Sequence, residues 1–366
     1  MSTPNLNTLQ RYLMHPVSSV QLGIFRIFFG IILSIQFLNL RNNVVEFFSI
    51  NKFQLTYDFF HFIKPLPNPY LSILFYILAG FSILLSLGVF YRISVIIVTI
   101  GLLYVFLLEH IFYNNHYYLM ILMLFILCIS KKSEFGSITF RDKLGLELQD
   151  IKVPRWNLLL QQYMLFILYF CGGVAKINQE WLFYAQPVLS WLPDMLGEER
   201  VAILSIEKQQ IIAYFLTYSG LLIDLFAGFL LLNKRTFKFI AIVLILFHIS
   251  NLFLFDIGMF PYFGIASLIL FVPTSYFNNW KIVKNEIDDK DTSGLLSLTK
   301  RNTITFFVVS WMVIHLILPF RGYLIRDWRM WHEIGWKFSW TMKLRTKETA
   351  IALKVKFEHD SDVYFV

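Results

Sequence analysis

The sequence predicts an all-α polytopic membrane protein of about nine transmembrane helices, followed by a small exported, Trp-rich tail that contains β structure. Three observations predict it. Of 366 residues, 57% are hydrophobic and only 15% charged, where a soluble domain carries about 25% charged residues. Mean hydropathy is +0.60, gathered into stretches on the scale of the 20 or so residues that cross a bilayer. Lys and Arg exceed Asp and Glu, 32 against 24, and the excess falls unevenly on alternate connections, as it does in membrane proteins. This composition excludes a disordered protein and a single anchor on a soluble domain.

Nine apolar stretches follow in order: Val20–Leu40, Tyr70–Leu87, Ile93–Leu108, His116–Ser130, Leu158–Leu182, Ile211–Leu232, Phe239–Phe255, Pro261–Val272 and Ile304–Phe320. Backbone in lipid must satisfy its own hydrogen bonds, so each is expected to be helical. The eighth is short, and Gly258 and Pro261 make its start irregular. Counting Lys and Arg in alternate connections gives sixteen on the side of the N-terminus and five on the other. The N-terminus is therefore expected in the cytoplasm, and the tail after Phe320 outside. Residues 1–320 read as the membrane domain and 321–366 as the exported tail. In that tail Arg326–Trp340 is dense in Trp, and Ala350–Phe357 alternates with the period of a half-buried strand.

The +8 balance records this topology rather than a nucleic-acid partner. Cys128 and Cys171 lie inside apolar runs, which supports neither a disulfide framework nor a Cys-based metal site, and no metal is expected. Residues 1–19 are polar and the first apolar run is interrupted by Arg26, so no cleavable signal peptide is expected. A phosphate loop, GxSxG, HExxH and a Gly-rich dinucleotide turn are all absent from the sequence.

Ionisable groups at membrane depth are costly and each marks a candidate functional site. Arg26, Lys176, Asp224 and His248 are of this kind, and His116 opens its span beside Asn114 and Asn115. The expected topology brings His116, Lys176 and His248 to the outer half, beneath the Trp-rich tail. An amine and two imidazoles in one place can take protons from a bound substrate. Taken singly, Lys176 reads also as a residue snorkelling outward, and the two histidines as structural ones bonded to neighbouring helices. Arg26 and Asp224 sit nearer the middle or the cytoplasmic half and are expected to be structural, paired with other groups or with backbone.

Four segments carry a resemblance. YNNHYYL (Tyr113–Leu119), GGVAKINQEWL (Gly172–Leu182), FHISNLFLFDIGMFPYF (Phe247–Phe263), and LPFRGYL with FSWTMKLR (Leu318–Leu324, Phe338–Arg345) resemble vitamin K-dependent γ-carboxylase and its bacterial relatives, which share the HTTM transmembrane module. The resemblance runs from about Gln21 to Phe357 with the motifs in family order. It implies oxidation of reduced vitamin K, a phylloquinone or menaquinone hydroquinone, by O2 to the epoxide, coupled to addition of CO2 at the γ-carbon of a peptidyl glutamate. Lys176 stands at the family's catalytic base, and His116 and His248 at histidines that orient or stabilise quinone oxygens and the carbanion; with Asn115 they form the implied cofactor site. Trp331, Trp336 and Trp340 match the region associated with holding glutamate, and Arg345 is placed to pair its carboxylate. The implied partners are the bilayer, a membrane quinone and a glutamate-containing exported peptide.

The implied location is a cell inner membrane in a bacterium or the endoplasmic reticulum in a eukaryote. There are departures. Animal carboxylases continue well beyond the equivalent of Val366 and hold a disulfide that Cys128 and Cys171 do not reproduce, so quinone oxidation with altered or absent carboxylation is one expectation. A non-catalytic protein that binds or moves a quinone or lipid is the alternative.

Overall fold

The computed structural model describes residues 7–47, 55–110, 113–133, 135–139, 145–147, 152–255, 257–279, 297–325, 335–342, 344, 354–355 and 364–365. In chain order its elements are α1 (Thr8–Met14), β1 (Pro16–Val17), α2 (Val20–Phe47), α3 (Tyr70–Leu87), α4 (Tyr91–Leu108), α5 (Asn115–Ile129), β2 (Ser137–Thr139), β3 (Gly145–Glu147), β4 (Val153–Pro154), α6 (Arg155–Ala175), α7 (Gln179–Tyr184), α8 (Val188–Leu196), α9 (Glu198–Ala202), α10 (Ile206–Leu232), α11 (Phe237–Leu254), α12 (Phe260–Ser267), α13 (Leu298–Ile317), β5 (Lys354–Val355) and β6 (Tyr364–Phe365). They form two units. The first comprises Met1–Ile177 and Ser219–Met342, the second Asn178–Tyr218 and Lys343–Val366.

The protein is an all-α polytopic membrane protein. Seven helices are long and apolar enough to cross a bilayer: α2, α3, α4, α6, α10, α11 and α13 with its continuation to Leu324. The two other expected spans are shorter, Asn115–Ile129 and Phe260–Phe271. At about 1.5 Å per residue, α5 reaches about 22 Å of the roughly 30 Å hydrocarbon core. Its burial explains how a short helix is tolerated. Asn115, His116, Tyr118 to Ile121, Met123, Leu124, Ile126 and Leu127 are all buried, so it is enclosed by protein. In the same way α12 runs into a tighter 3-10 turn at Leu268–Phe271 whose Leu268, Leu270 and Phe271 are buried.

The expected fifth span does not continue to Leu182. Helix α6 stops at Ala175, with Lys176 at its C-cap, and Asn178 begins α7 by accepting a hydrogen bond from the Trp181 N–H at 3.0 Å. An N-cap side chain of this type satisfies a donor that helix starts leave open.

The largest apolar cluster of the first unit runs from Leu13 and Phe25 through Leu119, Met164 and Leu244 to Trp340, and Val20, Phe135 and Phe277 form a smaller one. Arg26 is buried as well, at 1% exposure. Its guanidinium donates to the Leu85 and Ser86 carbonyls at 2.8 Å each and to the Phe135 carbonyl at 3.1 Å. The Leu85 and Ser86 carbonyls belong to the last turn of α3, where a cation also meets the negative end of the helix dipole. Gly88 completes the stop: its φ is +69°, and an added Cβ would lie 2.6 Å from Arg26 Nη1 and 2.3 Å from Ser137 Oγ. The strands are short antiparallel pairs, β1 with β4 and β2 with β3 in this unit.

In the second unit β5 pairs antiparallel with β6, Lys354 opposite Phe365 and Val355 opposite Tyr364. The remaining residues of the expected Ala350–Phe357 alternation lie outside the described residues. Within this unit Trp181 Nε1 donates to the Thr217 carbonyl at 3.0 Å, and the Tyr214 and Tyr218 hydroxyls donate to the Phe183 and Leu182 carbonyls. These bonds tie α7 to the start of α10.

Candidate functional site

One face of α6 gathers the polar groups. Tyr169, Gly172, Gly173 and Lys176 recur at the three- and four-residue spacing that stacks side chains on one side of a helix. The two glycines expose bare backbone there. An added Cβ on Gly173 would come within 2.6 Å of the Leu225 N and 2.8 Å of its Cα, so α6 and α10 touch main chain to main chain. That approach carries Asp224, the residue before, onto the end of α6. Its Oδ2 forms a salt bridge with the Lys176 ammonium, with 9% and 7% of the two side chains exposed.

The tail reaches the same place. From the position of a Cβ on Gly172, Asp224 Oδ2 and Met342 Cε are each 3.5 Å away and the Trp340 carbonyl 3.7 Å. The neighbouring Thr341 carbonyl accepts from Asn115 Nδ2 at 2.9 Å, while Asn115 Oδ1 accepts from the Tyr113 hydroxyl at 2.9 Å. Residues 340–342 therefore lie between the first turn of α5 and the last turns of α6. Phe338 and Trp340 hold left-handed backbone, with φ +62° and +58°, a conformation that costs a non-glycine residue about 1–2 kcal/mol and needs surrounding packing to hold it. That packing is aromatic: Tyr118 lies 4.9 Å from Phe338 and 5.0 Å from Trp340, and Tyr113 lies 5.3 Å from Phe338. The Phe338 N–H also donates to the Tyr113 hydroxyl at 2.6 Å. Trp340 is 1% exposed and Trp336 half-buried.

The two histidines contact the same ring. His116, in the first turn of α5, stacks on Phe260 at 5.6 Å, and His248 on α11 meets Phe260 edge-on at 5.8 Å. His248 is fully buried and its Nε2 is 2.9 Å from the Tyr169 hydroxyl. Tyr169 thus ties His248 to the face of α6 that ends in Lys176, about 10 Å further along its axis.

Two family models match the chain. That of the HTTM domain covers residues 14–276, and that of the vitamin K-dependent gamma-carboxylase lumenal domain covers residues 300–366. The chain belongs to the gamma-carboxylase/HTTM family. In this HTTM protein the first match takes in Asn115, His116, Lys176, Asp224 and His248, and the second takes in Trp336, Trp340 and Met342. No solved structure matches the chain. Membership in this family and its apolar helices make it an integral membrane protein of the carboxylase family.

The fold of the HTTM protein brings Asn115, His116, Lys176 and His248 together with Trp340. Trp331 and Arg345 lie outside the described residues, as does Trp328. Trp336 is on a different side: with Cys171, Val174, Ala175, Phe320 and Ser339 it lines a small pocket of about 10 Å³, room for about one water. By the period of the helix, Cys171 and Val174 point away from Lys176 and Ala175 to its flank. Both cysteines are free thiols. Asp224 and Tyr169 were not among the expected site residues. A lone carboxylate in an apolar run with a lone amine in another is a signal for Asp224, because charges at membrane depth pair. Tyr169 had none, since a tyrosine among apolar residues reads as packing.

Outside the membrane helices, Lys337 anchors the tail. Its ammonium donates to the His110 carbonyl at 3.2 Å and lies 5.4 Å and 5.8 Å from the Tyr57 and Tyr113 ring centres. Burial lowers its pKa to about 8, with Asp58 opposing. Burial and the nearby Glu109 raise the Tyr57 hydroxyl to about 12.

Proposed function

We propose that this HTTM protein is a vitamin K-dependent γ-carboxylase-like membrane enzyme in which Lys176 is the base. It oxidises reduced vitamin K with O2 to the epoxide, coupled to CO2 addition at a glutamate γ-carbon. The observation that carries the reading is the buried Lys176–Asp224 pair, set against bare glycine backbone with the Trp340 carbonyl and Met342 Cε beside the same glycine. A buried ion pair adds little stability over an apolar pair of the same shape, so stability alone does not account for this one.

The donor set suits an oxygenated aromatic ligand. His248 Nδ1 is buried without a hydrogen-bond partner among the described residues, which leaves it able to meet a ligand group. Lys176, His116, His248 and Asn115 would hold the quinol. Reduced vitamin K, when bound, supplies the electrons that reduce O2 and the basicity that removes the glutamate γ-proton. Lys176 Nζ takes the phenolic proton after passing its own to the Asp224 carboxylate beside it. Trp340, packed on Tyr118, closes the site from water, which otherwise quenches a strong base.

The sixteen-to-five distribution of Lys and Arg supports a cytoplasmic N-terminus with this site on the opposite side, where a glutamate-containing exported peptide can reach it. The division into a membrane domain to residue 320 and a tail beyond it follows the same reading. The test is epoxide formation from reduced vitamin K by purified protein in detergent, with CO2 incorporation into a glutamate peptide measured alongside. Lys176→Ala abolishes both, while Arg26→Ala keeps epoxide formation per folded molecule. Equal activity of the two variants overturns the assignment. Quinone binding with no turnover, unchanged in Lys176→Met, establishes the non-catalytic alternative, and epoxide without carboxylation establishes a quinone oxidase.

A further inference from the structure

Tyr169 takes no part in the reading above. Its hydroxyl is 2.9 Å from His248 Nε2, and both residues are buried, Tyr169 at 4% exposure and His248 at none. The imidazole stands beside Phe247 and Phe260 and lies on the backbone of Gly264, where a Cβ would be 2.4 Å from Cε1 and Nε2. Of its two nitrogens, only Nε2 has a hydrogen-bond partner; Nδ1 is buried with none among the described residues.

The neutral ring has two tautomers, and the hydrogen bond to Tyr169 separates them. If Nε2 carries the proton and donates to the tyrosine oxygen, the buried Tyr169 O–H is left with no acceptor among the described residues, and Nδ1 is left as a bare acceptor. If Tyr169 donates to Nε2, its proton is used and a single group stays unsatisfied, the Nδ1–H. A buried donor or acceptor without a partner costs about 1–3 kcal/mol, so the second arrangement wins by one such group. We infer that Tyr169 is a positioning residue that fixes His248 as its Nδ1–H tautomer, so that the unused N–H donates to an oxygen of the quinone substrate. This rests on the quinone reading above. The device parallels the way an outer hydrogen bond sets which nitrogen of a metal-bound or catalytic histidine is active, with a phenol in place of a carboxylate.

The experiment is a ¹⁵N spectrum of the histidine-labelled full chain in detergent, with the His248 signals identified by their loss in His248→Asn. Wild type is expected to show a pyrrole-type Nδ1 and a pyridine-type Nε2, and Tyr169→Phe to show the two tautomers mixed. A protonated Nε2 in wild type, or an unchanged spectrum in Tyr169→Phe, overturns the inference. Turnover gives a second measure. Tyr169→Phe is expected to lower kcat for epoxide formation at least about tenfold, short of the roughly 10²–10³ lost with a whole oxyanion donor, with KM for the quinone changed much less. Asparagine places an amide N–H near the Nδ1 position and has no need of Tyr169. In a His248→Asn background, Tyr169→Phe is therefore expected to cost nothing further, and independent, multiplying losses would overturn the coupling. If wild type forms no epoxide, the quinone reading has failed and the spectrum alone decides the role of Tyr169. Turnover with a protonated Nε2 sinks only the tautomer assignment.

Discussion

Asp224 on α10 closes a salt bridge onto Lys176 at the end of α6, across the bare backbone of Gly172 and Gly173. The relationship joins two residues 48 positions apart and predicts how variants divide. Removing one partner leaves an uncompensated buried charge, at a cost of about 3–5 kcal/mol. Asp224→Ala is therefore expected to lower both the melting temperature in detergent and epoxide formation. The double variant Lys176→Met/Asp224→Leu removes both charges and is expected to recover most of the melting temperature and none of the activity. A double variant no more stable than Asp224→Ala would refute the pairing.

The two glycines are expected to behave differently. A methyl on Gly173 collides with the Leu225 backbone, whereas one on Gly172 finds its nearest neighbours at 3.5 Å, ordinary contact distance. Overpacking of this kind costs about 1–3 kcal/mol. Gly173→Ala should melt earlier than wild type and lose activity as α10 carries Asp224 away from Lys176. Gly172→Ala should retain both, and equal melting temperatures for the two variants would contradict the close approach.

Arg26 is expected to act on stability alone. Three carbonyls, those of Leu85, Ser86 and Phe135, lose a charged donor in Arg26→Met, and hydrogen bonds to charged groups contribute about 1.5–3 kcal/mol each. The melting temperature should fall while epoxide formation per folded molecule stays near wild type. Arg26→Lys should recover little, because an ammonium lacks the planar fork that reaches both the end of α3 and Phe135. Full recovery by lysine would argue against the capping role.

Stability should rise with pH between about 8 and 10. Lys337 in the folded chain titrates near 8, against 10.5 ordinarily. In that window the unfolded chain binds the extra proton, and stability increases with pH wherever the unfolded state is the more protonated. The amine is only half-buried, so solvent screening keeps the effect modest. Above about 10 the Tyr57 hydroxyl, held protonated to about 12, reverses the trend, since the unfolded chain then releases its proton first. Melting curves at pH 7.5, 9 and 10 check this. Lys337→Gln should flatten the rise between 8 and 10, and an unchanged slope in that variant would assign the rise elsewhere.

Much of the architecture is legible from local pattern. The second apolar run, Tyr70–Leu87, is α3 residue for residue, because an apolar stretch in lipid has no alternative to helix. The break after Ala175 was hidden inside an apolar run. It depends on Asn178 turning its side chain back to cap α7, and an asparagine in sequence does not declare whether it caps or packs. At the site, Lys176, His116 and His248 stand out because polar groups in apolar runs are costly. Their partners do not: Asp224 was expected to be structural, and Tyr169 was indistinguishable from the aromatic residues that fill the membrane helices.

By itself the sequence determined that the chain is an all-helical membrane protein, where its apolar stretches lie, and which few ionisable side chains must be explained. Each of these follows from transfer energies that act residue by residue. The tertiary structure alone decided the pairings: Asp224 with Lys176, Tyr169 with His248, Arg26 with the end of α3, and the tail at Trp340 with the last turns of α6. Those depend on how closely helices approach, and approach is set by the shapes of several segments at once, glycines above all, which no local pattern contains.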